Sequence, residues 1–370
     1  MTIGTFSGPE EEQLMAVFDA ARLSDGFIAV VDRGARTVRL FDESGGFRLT
    51  VGGPGSGPGE FRDPISVLVA EEDEVVVWDG QLYRTTRFDR SGEVSDMKTV
   101  DLGQMTEWVD LPLFPAGVEL LAGGEFLIQL AEKEGVGGKD GKGAGVKITR
   151  SPTEGTRLGS GALRVSGDLS SVDTLKFFAD TAKVTVDAPW GPFTLAPPVP
   201  EGPELTHGGR PPRICMGDRG VPQVECIDPD GGRLQIRWDP NPEALTRGEI
   251  EGWRAGHLRD LGMKLTEEDI LAVLDQVPVP LERPSFSDLT LDSQRNLWVR
   301  LGPIEGSTES TIRYLVFGPD GSLLGEIRLP PIQVFEIGED YVLGLFRDDF
   351  EVEYVHIYEL AKPAGSAGDP

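Results

Sequence analysis

The chain has 370 residues, and its 62 acidic against 35 basic side chains give a formal net charge of −27. That balance argues against nucleic acid and anionic membrane surfaces as partners, since both are gripped through Lys and Arg, and it suits a cationic partner. Hydrophobic residues at 39% are enough for a sizeable core, and glycine with proline, about a fifth of the chain, stays below the low-complexity range.

In chain order, Met1-Thr-Ile-Gly-Thr-Phe-Ser7 shows neither the basic region nor the apolar core of a signal peptide. The reading is then a cytoplasmic protein or a chain without its leader, which the sequence alone does not separate. Ser7-Gly-Pro-Glu10 could open a helix over Ser7–Leu23. Its likeness to the stretch after Leu49-Thr-Val51 favours a strand at residues 2–6 followed by a loop. No apolar stretch approaches the roughly 18–20 residues of a membrane helix, so no transmembrane segment is expected; Phe27–Val31 and Val75–Trp78 have the length of strands.

These strands recur. Phe27-Ile-Ala-Val-Val-Asp32 is followed by Thr37-Val-Arg-Leu-Phe41-Asp-Glu-Ser-Gly45. After 47 residues, Val75-Val-Val-Trp-Asp79 is followed by Arg84-Thr-Thr-Arg-Phe88-Asp-Arg-Ser-Gly92. Further copies close at Ile227-Asp-Pro-Asp-Gly231 and Phe317-Gly-Pro-Asp-Gly321, each a tight turn in which glycine takes positive φ. Four short strands in 40–50 residues are the signature of a propeller blade. The expected fold is all-β, a six-bladed β-propeller, with blades near 14–52, 60–102, 113–178, 190–238, 284–329 and 330–360. The last repeat offers three strands, so residues 2–6 are expected to supply its outer strand and close the ring. A helical insertion over 239–283 precedes the fifth blade. It begins with the capping box Thr246-Arg-Gly-Glu249 and carries a second start at Thr266-Glu-Glu-Asp269. The propeller then spans 1–361, and 362–370 reads as a disordered tail.

Cys215 and Cys226 flank a turn near Gly220. A hairpin there places them opposite each other, where a disulfide is geometrically possible; two buried thiols are the alternative.

Over Gly55-Ser-Gly-Pro-Gly-Glu-Phe61, Pro64, Val75–Asp79 and Arg84–Gly92 the sequence resembles the NHL-repeat group of six-bladed propellers, mostly uncharacterised bacterial proteins, often exported or lipid-anchored. The resemblance implies the fold and suggests an extracytoplasmic site, periplasmic or secreted. It also implies the geometry of a blade. Short first-to-second and third-to-fourth turns share one face, and longer connections crowd the other: Glu132–Gly159, Gly302–Thr311, Gly55–Phe61 and the insertion. A site is expected at that loop-rich end of the axial channel.

Little catalytic chemistry is visible. The Gly-Pro loops lack Walker spacing, no Ser sits in a nucleophile elbow, and His207, His257 and His356 lie far apart. Some propellers resembling this one are metal-dependent lactonases or lyases. Asp32 and Asp79 at second-strand ends, with Asp348, Asp349 and Glu351, would supply oxygen ligands suited to calcium or another divalent metal. The plainer role for such an Asp is to brace the loop that follows it. Arg33, Arg300 and Arg347 sit beside the same strand ends, as ion-pair partners or as contacts to a ligand. Trp78 and Trp298 read as blade core, Trp190 and Trp253 as loop packing. The expectation is a non-enzymatic binding scaffold without cofactor, holding a protein, peptide or small ligand on its loop-rich face through residues such as Asp32, Arg33, Asp79, Arg300 and Arg347. The alternative is a metal-dependent lactonase or lyase using Asp32, Asp79 and Asp348.

Overall fold

The structure, a computed structural model, describes residues 1–100, 113–121, 124–132, 147–149, 160–167, 171–178, 183–188, 191–195, 197–199, 202–240, 243–261, 266–302, 311–348 and 350–361. Strand β1 (Thr2–Ile3) comes first and is used last. Blade one is β2–β5 (Val17–Arg22, Ile28–Asp32, Thr37–Phe41, Phe47–Val51), and blade two is β6–β9 (Pro64–Val69, Val75–Asp79, Arg84–Phe88, Val94–Thr99). Blade three joins β10 (Leu113–Leu120), β11 (Phe126–Glu132), β13 (Ser160–Val165) and β14 (Val172–Phe178), with β12 (Lys147–Thr149) set aside from it. Two further strands, β15 (Lys183–Ala188) and β16 (Gly191–Leu195), precede blade four. Blade four is β17–β20 (Pro203–Gly208, Arg213–Asp218, Gln223–Ile227, Arg233–Arg237), and blade five is β21–β24 (Asp288–Leu291, Leu297–Leu301, Ile312–Phe317, Leu323–Leu329). Blade six holds β25 (Gln333–Ile337), β26 (Tyr341–Arg347) and β27 (Glu353–Glu359), with β1 as its outer strand. All pairs are antiparallel, and the innermost strands touch from blade to blade, β2 against β6 and β25, and β17 against β21. The fold is a six-bladed β-propeller, mostly strand.

The burial pattern explains the strand sequences. A second strand is covered by a neighbouring blade on both faces, so Ile28–Asp32 and Val75–Asp79 are buried at every position and read as continuous apolar runs. The outer strand β9 is largely exposed. Between blades one and two, Val31, Val38, Phe61, Val77 and Phe88 form one core, and Trp78 packs on Phe126 of blade three. Trp78 and Trp298 are both buried. The recurring Asp-x-Ser-Gly phrase is a three-to-four turn. In blade one Asp42 accepts the amides of Ser44 and Gly46 and the Ser44 hydroxyl, while Gly45 takes φ 87°. Asp89 and Asp320 repeat the contact.

Ring closure has a definite register: Thr2 faces His356, Ile3 faces Val355, and the N-terminal ammonium donates to the Ile357 carbonyl. Residues 7–23 hold no long helix. They form one 3₁₀ turn, Glu10–Glu12, and then β2.

Blade four departs from its expected start at 190. Residues 191–195 do not join it; β12, β15 and β16 make a separate three-stranded sheet. That sheet carries the helices α1 (Arg247–Leu261) and α2 (Glu267–Leu274). Val184, Val186 and Leu195 share a core with Trp253, Ile270, Val273 and Leu274. The helices' apolar residues find their partner on this sheet, and Trp253 belongs to that core. Glu249 and Thr246 exchange the reciprocal bonds of a capping box, and Arg283 grips Glu249 through two further bonds. The tail 362–370, Trp190, Asp349, and most of the 132–159 and 302–311 connections lie outside the described residues.

Candidate functional site: a loop-bearing face and an axial channel

Asp32, at the end of β3, is fully buried; it accepts the amides of Met15 and Ala35 and lies 3.4 Å from Arg39. Asp79, at the same place in blade two, accepts four amides, from Arg62, Asp63, Gln81 and Leu82. Asp348 accepts those of Phe350 and Val352. Each carboxylate is therefore spent on its own connection. Among the described residues no three His, Cys, Asp or Glu side chains come together in a way that could hold a metal ion.

The arginines differ. Arg33 forms a two-bond ion pair with Asp63 and lies over the Phe18 ring at 5.0 Å; Asp63 raises its pKa further. Arg347 bonds Glu353, whose other oxygen accepts the Val17 amide. Arg300 faces Asp288 and Tyr314 in register, and its buried Nε has no hydrogen-bond partner. His257 packs on Trp253 and contacts its carbonyl, as a helix-surface histidine does. His356 stacks on Phe346. Cys215 and Cys226 sit opposite each other in β18 and β19, and the structure joins them as a disulfide.

The axis itself holds a cavity of about 690 Å³. Each innermost strand places a polar side chain on its wall: Asp19, Ser66, Glu119, His207, Asp288 and Glu336. Of these residues the sequence reading weighed only His207, and gave it no role. A signal was present in two blades, in that a lone carboxylate interrupts a mostly apolar first strand, Glu119 in β10 and Glu336 in β25. The side chains work as fastenings between blades. Asp19 accepts the Val67 amide of blade two, Glu336 accepts the Arg22 amide of blade one, and His207 meets Glu119 of blade three at 3.3 Å. Burial pushes the Asp19 carboxyl up to about 7, aided by the charge of Glu336 and opposed by its amide donors. Burial likewise raises Glu204, beside Arg219, to about 8, and raises Asp288 and Glu336. The cavity runs toward the short turns at Ser24, Asp73, Arg210 and Ser293, away from the long connections.

The loop-rich face is distinguished by what it exposes. Phe6 (74% exposed), Met15 (70%) and Phe18 lie on the entry into blade one. Tyr83, Val221 and Phe350 (87%) lie on the second-to-third connections of blades two, four and six, and Leu281 (87%) on the insertion. The remaining exposed large apolar side chains among the described residues are at Met1 and on the outer strands β9 and β24.

A family described as DUF5128, a 6-bladed beta-propeller, has a model that matches residues 10–109. No curated protein matches the chain. Similar solved structures include a candidate exported protein of Bacteroides fragilis (10% identity, 97% of this chain and 94% of that one, TM-score 0.49). A DUF4221 family member from Bacteroides vulgatus has 10% identity, coverage of 97% and 96%, and TM-score 0.49. Virginiamycin B lyase from Staphylococcus aureus has 10% identity, coverage of 96% and 98%, and TM-score 0.42. Propellers carry many unrelated activities, and no activity passes to this chain from likeness at these identities.

Proposed function

We propose that this protein is a non-enzymatic binding scaffold whose loop-rich face holds a protein partner. The observation that supports it is that Phe6, Met15, Tyr83, Val221, Leu281 and Phe350 all fall on connections of one face, with Phe18 at the start of β2 beside them in sequence. Single exposed apolar side chains are ordinary; their concentration on one face rather than both is what suggests an interaction surface. The carboxylates suited to a metal-dependent lactonase or lyase are instead committed to loop amides and to neighbouring blades. An NHL-type reading of the repeats is supported by the Gly-Pro-Gly-Glu-Phe entry, which Arg84 organises by donating to the carbonyls of Ser56, Gly57 and Glu60. An oxidising, extracytoplasmic setting is supported by the Cys215–Cys226 disulfide.

The test compares the chain with a Phe6→Asp/Met15→Asp/Phe350→Asp variant. All three positions are exposed, so the melting temperature should stay within a degree or two. Cross-linking in the source cells should yield a specific adduct with the parent chain that the variant loses. Saturable, metal-dependent turnover of a lactone by the parent chain would overturn the reading.

A further inference from the structure

A cavity on the loop-rich side lies away from the axis, between the outer parts of blades four and five and beneath the linkers of the insertion, with a volume of about 820 Å³. Its floor is apolar. Trp238, held against Phe286 and Phe317 at 5.8 and 5.9 Å, is flanked by Leu301 and Leu315. Pro222, Pro240, Pro280 and Pro284 stand in the walls. Proline brings a carbonyl without an N–H; that of Pro222 already takes the Trp238 amide, and Pro240, Pro280 and Pro284 add acceptors without adding donors.

The charges are just as one-sided. The two arginines in the lining are already engaged, Arg283 by Glu243 and Glu249, and Arg313 by Glu243. Asp239 and Glu282 are exposed and carry no ion pair among the described residues, and Glu326 meets only Arg328, at 3.5 Å. An aromatic and aliphatic floor, proline-lined walls and a rim on which Asp239 and Glu282 carry no ion pair among the described residues call for an occupant that is apolar in body, cationic, and rich in N–H donors. The cavity also runs into the exposed face. Leu281 lines it, and Pro222 follows the exposed Val221.

Resting on the scaffold reading above, we propose that this cleft takes an extended segment of the partner protein that carries an arginine or lysine between apolar residues. The cationic group lies on Trp238 and is met by Glu282, Glu326 and Asp239, while the flanking residues cover Leu281 and Val221. Such a slot supplies the charged anchor that the apolar face lacks, and it fits an interface whose energy gathers on a few desolvated residues.

The probe is an array of peptides Leu-Pro-X-Pro-Leu, with X each of the twenty amino acids, read with the intact chain. Retention should be greatest with Arg or Lys at X. For the Arg peptide, measured by fluorescence anisotropy, the citrulline twin should bind at least tenfold more weakly. Raising salt from 50 to 500 mM should weaken binding several-fold, as expected for exposed charges. Glu282→Lys/Glu326→Lys, two exposed positions that leave the fold intact, should abolish the preference at X. Retention independent of X, or unchanged in that variant, would overturn the proposal. Binding lost in Phe6→Asp/Met15→Asp/Phe350→Asp but kept in the Lys variant would overturn the cleft and leave the face standing. Equal affinity for free arginine amide would also overturn it, in favour of a small cationic ligand.

Discussion

At the scale of single residues, polar groups in this protein are mostly assigned to structure, and Asp19 shows the consequence. Its carboxyl is deep in the channel, where the ionised form lacks water, and its pKa is raised to about 7 from the ordinary carboxylate value. A carboxyl whose pKa is higher folded than unfolded binds its proton more tightly in the native state. Its contribution to stability is therefore fully present below about pH 4 and is lost as the pH rises through 7. Asp19→Asn removes the charge but keeps one acceptor oxygen, so of the Val67 and Ala20 amides, which bond different carboxylate oxygens, one loses its partner. The lost bond is a cost independent of pH, whereas the removed charge is a gain that grows with pH, so the variant's stability relative to the parent chain should rise from pH 5 to pH 8. Urea unfolding at pH 5, 6.5 and 8 checks this; a gap independent of pH would mean that Asp19 is ionised throughout.

Among the elements, the two ends of the insertion are tied together by a buried ion pair. Glu249 is buried, caps α1 through Thr246, and takes two bonds from Arg283 at the far end of the same insertion. Glu249→Ala removes the cap and takes from Arg283 the carboxylate that accepts two of its hydrogen bonds. Breaking a buried pair in this way costs about 3 kcal/mol. The loss should appear as faster amide exchange in α1, with the blade strands little changed, because the helices pack on their own sheet through Trp253 and Ile270. Exchange that quickens equally in β3 and β7 would show the insertion and ring to unfold as one unit. The capping box was legible in the sequence because its spacing is local, as were the blades that repeat Phe-Asp-x-Ser-Gly. The side sheet was not. Val184 and Val186 alternate as any half-buried strand does, and strand periodicity carries no information about which sheet a strand joins. The exposed face escaped for a related reason: Phe6 and Phe350 look in sequence like core residues, and only the fold shows that nothing covers them.

For the whole molecule, closure of the ring is the feature on which the other parts depend. Blade six is completed by a strand from the opposite end of the chain, so the contacts joining β1 to β27 span more than 350 residues. Ile3 is buried in the core shared by blades one and six, against Val17, Val30 and Leu343. Ile3→Ala should cost about 2–4 kcal/mol, the range for emptying a core isoleucine site. Removing residues 1–5 should cost more, since it also unpairs β27 and frees a sheet edge that can template association. The truncated chain should unfold at lower urea than Ile3→Ala and sediment as concentration-dependent oligomers. The fastenings at Glu336 and Glu353 cross the seam between blades six and one that β1 closes, so they should hold only while the ring is shut. A truncated chain that stayed monomeric with the parent's unfolding midpoint would show that these channel contacts, and not the terminal strand, close the propeller.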